Sequence, residues 1–264
     1  MTAAYLLHHY DWSESSAILD LFTREQGRVA VVARGARRPY SQLRSVLMPF
    51  QRLHVNYGRK RPRTSAEADS AEIQPLKSAE WAGGPAPAGG AALMTGFYLN
   101  ELLMKLLARQ DPHPALFDAY ALTLPALGSG EDAHVGAALR AFELLLLREI
   151  GLLPALDLVT QTQQPLDAAA AADRPRHALR PEAGIAPSRP GEPGLDAASW
   201  RALQQALDAQ DLAALQRACL GVLAELRPML RGLLHYHLGV PVLRTRQVMM
   251  DLQNLQGVEP GRTR

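Results

Sequence analysis

A chain of 264 residues, 47% apolar and with a formal net charge of +2, can bury the core of one or two domains and is too apolar to stay disordered. Its one cysteine, Cys219, excludes an intrachain disulfide and any cysteine-rich zinc site, and the helical spacing of Leu215, Ala218 and Val222 around it reads as a small buried hydrophobe. The start, MTAAYLLHHYDW, lacks a basic n-region, and the apolar stretch 219–240 is interrupted by Glu225, Arg227, Pro228 and Arg231, so the expectation is a cytoplasmic protein without signal peptide or membrane span.

From residue 3 to about 76, short runs of period two alternate with turn residues, predicting five strands. The first is Ala4 to Tyr10; the polar connection Asp11 to Ser15 leads to the second, Ala17 to Thr23. Gln26 and Gly27 turn the chain into Arg28 to Arg34, where Val29, Val31 and Ala33 share one face and Arg28 and Arg34 the other. Gly35 to Ser45 is a basic loop, GARRPYSQLRS, carrying Arg37, Arg38 and Arg44 around Tyr40. Phe50 to Tyr57 alternates again, Arg59, Lys60 and Arg61 occupy the turn after Gly58, and a last strand is expected within Thr64 to Leu76. Such a run fits a small antiparallel barrel of the OB type, although an SH3-like barrel would read similarly.

A Gly, Pro and Ala-rich joint, WAGGPAPAGGAA, then changes the pattern to helical. Apolar faces predict helices over 92–109, 114–127 and 133–150, the last stopped by Gly151. Residues 160–195, rich in Ala, Pro, Gln and Arg, are expected to be a mobile loop, with a short hairpin around Ala178 to Ala186. Helices resume over Ala197 to Ala209 and Asp211 to His237, the latter interrupted at Pro228, and close near Thr245 to Leu255. The expected fold class is therefore α+β, multidomain: a barrel over 1–80, expected on the charge pattern described next to be the nucleic-acid-binding domain, then a helical domain over 81–264 with a loop-rich insertion at about 160–195.

The net charge conceals an asymmetry. Residues 1–63 hold eleven Lys and Arg against four acids, +7, and the remaining 201 hold 17 against 22, −5. A local field of that sign attracts polyanions, and Tyr10, Trp12, Tyr40 and Tyr57 lie in or beside it. Base stacking on a ring is worth about 1–3 kcal/mol in single-strand binders, which favours single-stranded nucleic acid, although each ring read alone suits a barrel core. Catalytic patterns are missing: no GxxxxGK[ST] loop, no GxSxG elbow and no HExxH helix. His8 and His9, neighbours on a strand, and His235 and His237, two apart on a helix, point apart and make no ligand set. No catalytic residue, metal or cofactor is expected.

Five stretches resemble, in order, the bacterial recombination mediator family RecO: WSESSAILDLFTREQGRVAVVARGARR (12–38), LMPFQRLHVNYGR (47–59), GFYLNELLMKLL (96–107), ALRAFELLLLREIGLLP (138–154) and LRPMLRGLLHYHLGVPVLRTRQV (226–248). The resemblance implies an N-terminal OB-fold, a helical C-terminal domain and a nucleoid-associated role in recombinational DNA repair. It further implies binding of single- and double-stranded DNA, annealing of complementary strands, and loading of RecA, with RecR and RecF, onto DNA coated by single-stranded DNA-binding protein (SSB). The matching basic surface is Arg28, Arg34, Arg37, Arg38, Arg44 and Arg59, Lys60 and Arg61, with Tyr40 beside it. Some relatives carry a four-cysteine zinc site between the third helix and the C-terminal helices; residues 160–195 contain no cysteine, so no zinc is expected.

The family also captures the acidic, hydrophobic tail of SSB on its helical domain. Arg140 falls at the matching position, with Leu139 and Phe142 as candidates for an apolar pocket. The alternative leaves Phe142 in the core and Arg140 as an exposed helix charge. At the level of function, a protein adaptor whose basic surface receives acidic peptides competes with the DNA-binding mediator, and a hydrolase or nuclease with an unfamiliar site is a third reading.

Overall fold

The computed structural model describes residues 1–58, 73–85, 89–166, 175–239 and 243–257, without the side chains of 249 and 252–257. Strands β1 (Thr2–Asp11), β2 (Ala17–Thr23), β3 (Gly27–Ala33), β4 (Arg52–Tyr57) and β5 (Ile73–Trp81) close a barrel in the order β1-β2-β3-β5-β4. All pairings are antiparallel except β3 with β5, an OB-like arrangement. Alternation places Ala4, Leu6, Leu19, Leu21, Val29, Val31, Leu53 and Val55 in the barrel interior. A register shift between Leu6 and His8 lets β1 pair with β4 at one end and β2 along the rest. A short helix, α1 (Leu43–Val46), lies in the basic loop.

The fifth strand runs Ile73–Trp81, later than the Thr64 to Leu76 window expected for it. Only Gln74 in it is buried, and Pro75 and Lys77 dilute its alternation, so its periodicity is faint in the sequence.

The helical domain is built from α2 (Gly90–Leu106), α3 (Pro114–Ala126), α4 (Asp132–Glu149), α5 (Ala197–Asp208), α6 (Leu212–Leu220), α7 (Leu223–Leu238) and α8 (Arg244–Gly257). The C-terminal half of α4 is buried almost all round, from Ala141 to Leu147, as befits a central helix. Asp196 and Asp211 cap α5 and α6, their carboxylates accepting from the Ser199 and Ala214 amides at 2.7 and 2.9 Å. The break expected at Pro228 falls instead at Gly221 and Val222. Pro228 lies on the exposed face of α7 near its start, and the carbonyl of Ala224 that loses its partner is on the same wet side.

The stretch 160–195 was expected to be mobile, but its described parts are packed. Strands β6 (His177–Arg180) and β7 (Gly184–Pro187) form the expected hairpin, with Leu179 and Ile185 in the core and Trp200 Nε1 donating to the His177 carbonyl at 2.9 Å. Arg180 Nε donates to Glu192 Oε1 at 2.8 Å, and this guanidinium together with the Arg189 amide holds the Glu192 carboxyl down at about 2. Arg176 Nε closes the base on the Gly194 carbonyl at 2.7 Å. Composition concealed this because a few apolar residues, Leu166, Ala178, Leu179, Ile185 and Leu195, carry the packing.

Barrel and helices meet along one seam. Tyr5, Leu7 and Phe22, on the outer face of β1 and β2, are buried with Leu99, Leu103, Phe117 and Tyr120. The Tyr5 ring lies 5.3 Å from Phe117 and 5.0 Å from Tyr120. Asn100 Nδ2 donates to the Leu7 carbonyl at the bulge, 2.9 Å, and Asn100 Oδ1 accepts from the Tyr120 hydroxyl at 2.5 Å. Gly27 (φ 63°) turns β2 into β3 where a Cβ would stand 1.7 Å from the Asp111 carbonyl oxygen, so only glycine admits that approach.

Candidate nucleic-acid interface

The loop between β1 and β2 and the loop after β3 lie side by side at one edge of the barrel. Trp12 and Ser13 amides donate to the Ser16 carbonyl at 3.1 and 3.2 Å, and the Ser16 amide returns to Ser13 Oγ at 3.1 Å, closing a tight turn. Arg37 reaches from the second loop: its amide donates to the Ser15 carbonyl at 3.1 Å, Nη1 to the Ser13 carbonyl at 2.7 Å, and Nη2 pairs with Asp11 at 3.0 Å. Much of the Arg37 guanidinium is thus spent on the fold.

Arg34, Arg38 and Arg44 are exposed, and none makes an ion pair among the described residues. Tyr40 stands out at 99% exposure and Trp12 at 65%. Arg37 and Arg44 border a hollow of about 370 Å³ with His9 and Leu47. Arg34 and Arg38 border a groove of about 550 Å³ with Trp12. Arg59, Lys60 and Arg61 lie outside the described residues.

Arg28 does not belong to this surface. It points away from the barrel interior as its alternation requires, but that face is covered: its side chain is 14% exposed, Nη1 donates to the Met104 carbonyl, and Nε lies 3.9 Å from the buried carboxylate of Asp20. Arg109 approaches the same carboxylate at 3.8 Å. Arg24 likewise turns to the helices, pairing with Asp118 through Nε at 3.0 Å and Nη2 at 2.9 Å. Of the aromatic candidates, Tyr57 is half-buried against the barrel core and Tyr10 packs edge-on to His8.

A second basic site opens in the helical domain, a pocket of about 250 Å³. Leu139, Leu234, Leu243 and Met250 line it together with Arg140, Arg227, Arg231 and Arg246. Beneath it Glu143 is fully buried, its Oε1 accepting from Arg140 Nη2 and from the Tyr98 hydroxyl, both at 2.6 Å. Burial holds the Glu143 carboxyl above its ordinary range, with Arg140 and the Tyr98 bond working against it. Arg231 is pushed down by burial and then by Arg246, Arg227 and Arg140, and His235 by burial and then by Arg246 and Arg231. These cations are crowded together without enough acid.

Leu139 and Arg140 line the pocket, whereas Phe142 does not. It is fully buried, 6.1 Å from Tyr120, because two residues along a helix turn its side chain away from that of Arg140. Sequence reasoning missed Arg227, Arg231, Arg246 and Tyr98. The spacing of Arg227, Arg231 and His235, each four apart, could have revealed one basic face of α7.

Among the described residues no group of three His, Cys, Asp or Glu side chains is placed to hold a metal ion, and no helix is long and apolar enough to cross a membrane.

The barrel and the helices each match a family model: residues 1–74 the recombination protein O N-terminal model, residues 89–247 the recombination protein O C-terminal model. The chain is similar to the DNA repair protein RecO of Polaromonas naphthalenivorans, 53% identical over 254 residues that cover 96% of each chain. It is also similar to that of Variovorax paradoxus, 51% identical over 261 residues with the same coverage. Matches across both domains and nearly the whole length leave one assignment: the chain belongs to the recombination protein O family.

Proposed function

We propose that this RecO-family chain is a DNA-binding mediator of recombinational repair that works without covalent chemistry. The barrel edge binds single- and double-stranded DNA, and neutralising phosphates on two strands lowers the repulsion that opposes their annealing. The helical domain, through the Arg140 pocket, receives the acidic tail of SSB, so that the protein acts on coated DNA and, with RecR and RecF, helps load RecA. The observation that carries the reading is the set Arg34, Arg38 and Arg44, exposed beside Tyr40 and free of ion pairs among the described residues.

Salt titration of oligonucleotide binding tests it. Each neutralised phosphate contributes about 0.7 to the slope for single strands, so replacing Arg34, Arg38 and Arg44 together by Ala should flatten the slope by about 2. Binding that ignores salt, or survives the triple change intact, would sink the assigned surface.

The crowded pocket favours a second reading, an adaptor that binds acidic peptides and little DNA. An acidic peptide with an apolar, carboxylate-terminated end distinguishes the two. Arg246→Ala should weaken that peptide about tenfold in either case, but only the mediator also binds naked oligonucleotides tightly.

A further inference from the structure

The groove beside Trp12 has properties that a generic phosphate-binding surface does not require. Trp12, Arg34 and Arg38 stand around Ile18, Val32 and Ile73, half-buried residues on the outer face of β2, β3 and β5. Ile18 and Val32 are cross-strand partners, so this apolar floor is part of the sheet and rigid. The helices cover the outer face farther along at Phe22, but Ile18 and Val32 are outside that packed cluster.

The tryptophan is also held in place. The turn Trp12 to Ser16 is closed by three hydrogen bonds and braced from the next loop by Arg37 on Ser13, Ser15 and Asp11. A large indole at 65% exposure on a pre-ordered turn loses little freedom when it meets a flat partner. Two cations beside a flat apolar face complement one kind of chemical unit, an aromatic ring joined to a phosphate.

We infer that this groove is a stacking slot for one unpaired nucleobase of single-stranded DNA, with Trp12 as the platform, Arg34 and Arg38 on the flanking phosphates, and Arg37 as the residue that positions the platform. The inference rests on the DNA-binding reading above and adds to it a preference. A paired base in a duplex is stacked on its neighbours and hides its ring face, so the slot serves single strands and the arginines serve both forms. One stacked base is worth roughly a five- to hundredfold gain in affinity.

The test uses the full chain with Trp81→Phe, which leaves Trp12 as the exposed indole because Trp200 is buried. An oligothymidine should quench the exposed emission and a duplex of equal length should not. Trp12→Ala should weaken single-strand binding about tenfold and leave duplex binding unchanged, and Trp12→Phe should restore most of the loss. Equal weakening of both forms, or none, overturns the slot. If the paired change Arg34→Ala and Arg38→Ala weakens both forms while Trp12→Ala weakens neither, the DNA surface stands and the slot falls. A parent chain that binds neither form overturns the wider reading as well.

Discussion

The barrel edge and the helical pocket both gather arginines, in opposite ways. At the edge, Arg34, Arg38 and Arg44 are spread along exposed loops. In the pocket, Arg140, Arg227, Arg231 and Arg246 crowd around one apolar hollow, and the innermost is tied to a fully buried acid. Spread charges suit a long polyanion and are screened by salt, whereas a partly desolvated cluster suits one compact anion and is screened much less. The same residue type thus builds two surfaces whose affinities should respond differently to ionic strength.

Removing the cation from the buried pair is the severest test of this contrast. Arg140→Ala should cost about 3–5 kcal/mol in urea unfolding, because Glu143 would be left buried without its cation. Loss of coated-strand annealing in that variant therefore needs Arg246→Ala beside it, which removes a pocket cation without orphaning an acid. Glu143→Gln reads the same pair through pH. With its carboxyl held above the ordinary value of 4.5, the parent gains most from this group below that value and loses the gain as pH rises through the folded one. Relative to the parent, Glu143→Gln should thus become more stable from pH 4 towards pH 7; a flat difference would show that Glu143 titrates normally.

Next in size, Gly27→Ala should cost about 2–3 kcal/mol, since the new methyl meets the Asp111 carbonyl and φ is positive. It acts on the seam, so DNA affinity of the folded fraction should hold; a lost salt slope would mean that edge and seam are coupled. The smallest effects belong to exposed charges. Arg24→Ala, breaking a half-exposed pair with Asp118, should leave the thermal midpoint almost unchanged. The barrel-edge triple change should stay within about 0.5 kcal/mol, and a larger loss would assign those arginines to the fold.

Most elements were legible because their periodicity comes from one exposed and one buried side. The bounds of β2 and the starts of α3 and α5 follow the residues directly. Arg28 shows where this logic ends: alternation says that a side chain leaves the barrel interior, not what lies beyond. The sequence held a hint, since Tyr5, Leu6 and Leu7 are consecutive and apolar, as are Leu21 and Phe22, a pattern for strands buried on both faces. The pocket was half legible for a related reason. Arg140 and Leu139 share a local stretch, but Arg227, Arg231 and Arg246 arrive from distant helices.

One contact joins the first helix of the helical domain to its last. The Glu101 carboxylate on α2 accepts from the Arg244 and Thr245 amides at 2.9 Å each and from the Thr245 hydroxyl at 2.7 Å, capping a helix 143 residues downstream. That helix delivers Arg246 and Met250 to the pocket. During synthesis all five barrel strands have emerged by residue 81, whereas the pocket's last wall arrives only with α8. A nascent chain thus has its barrel edge early and gains the pocket only once α8 has emerged.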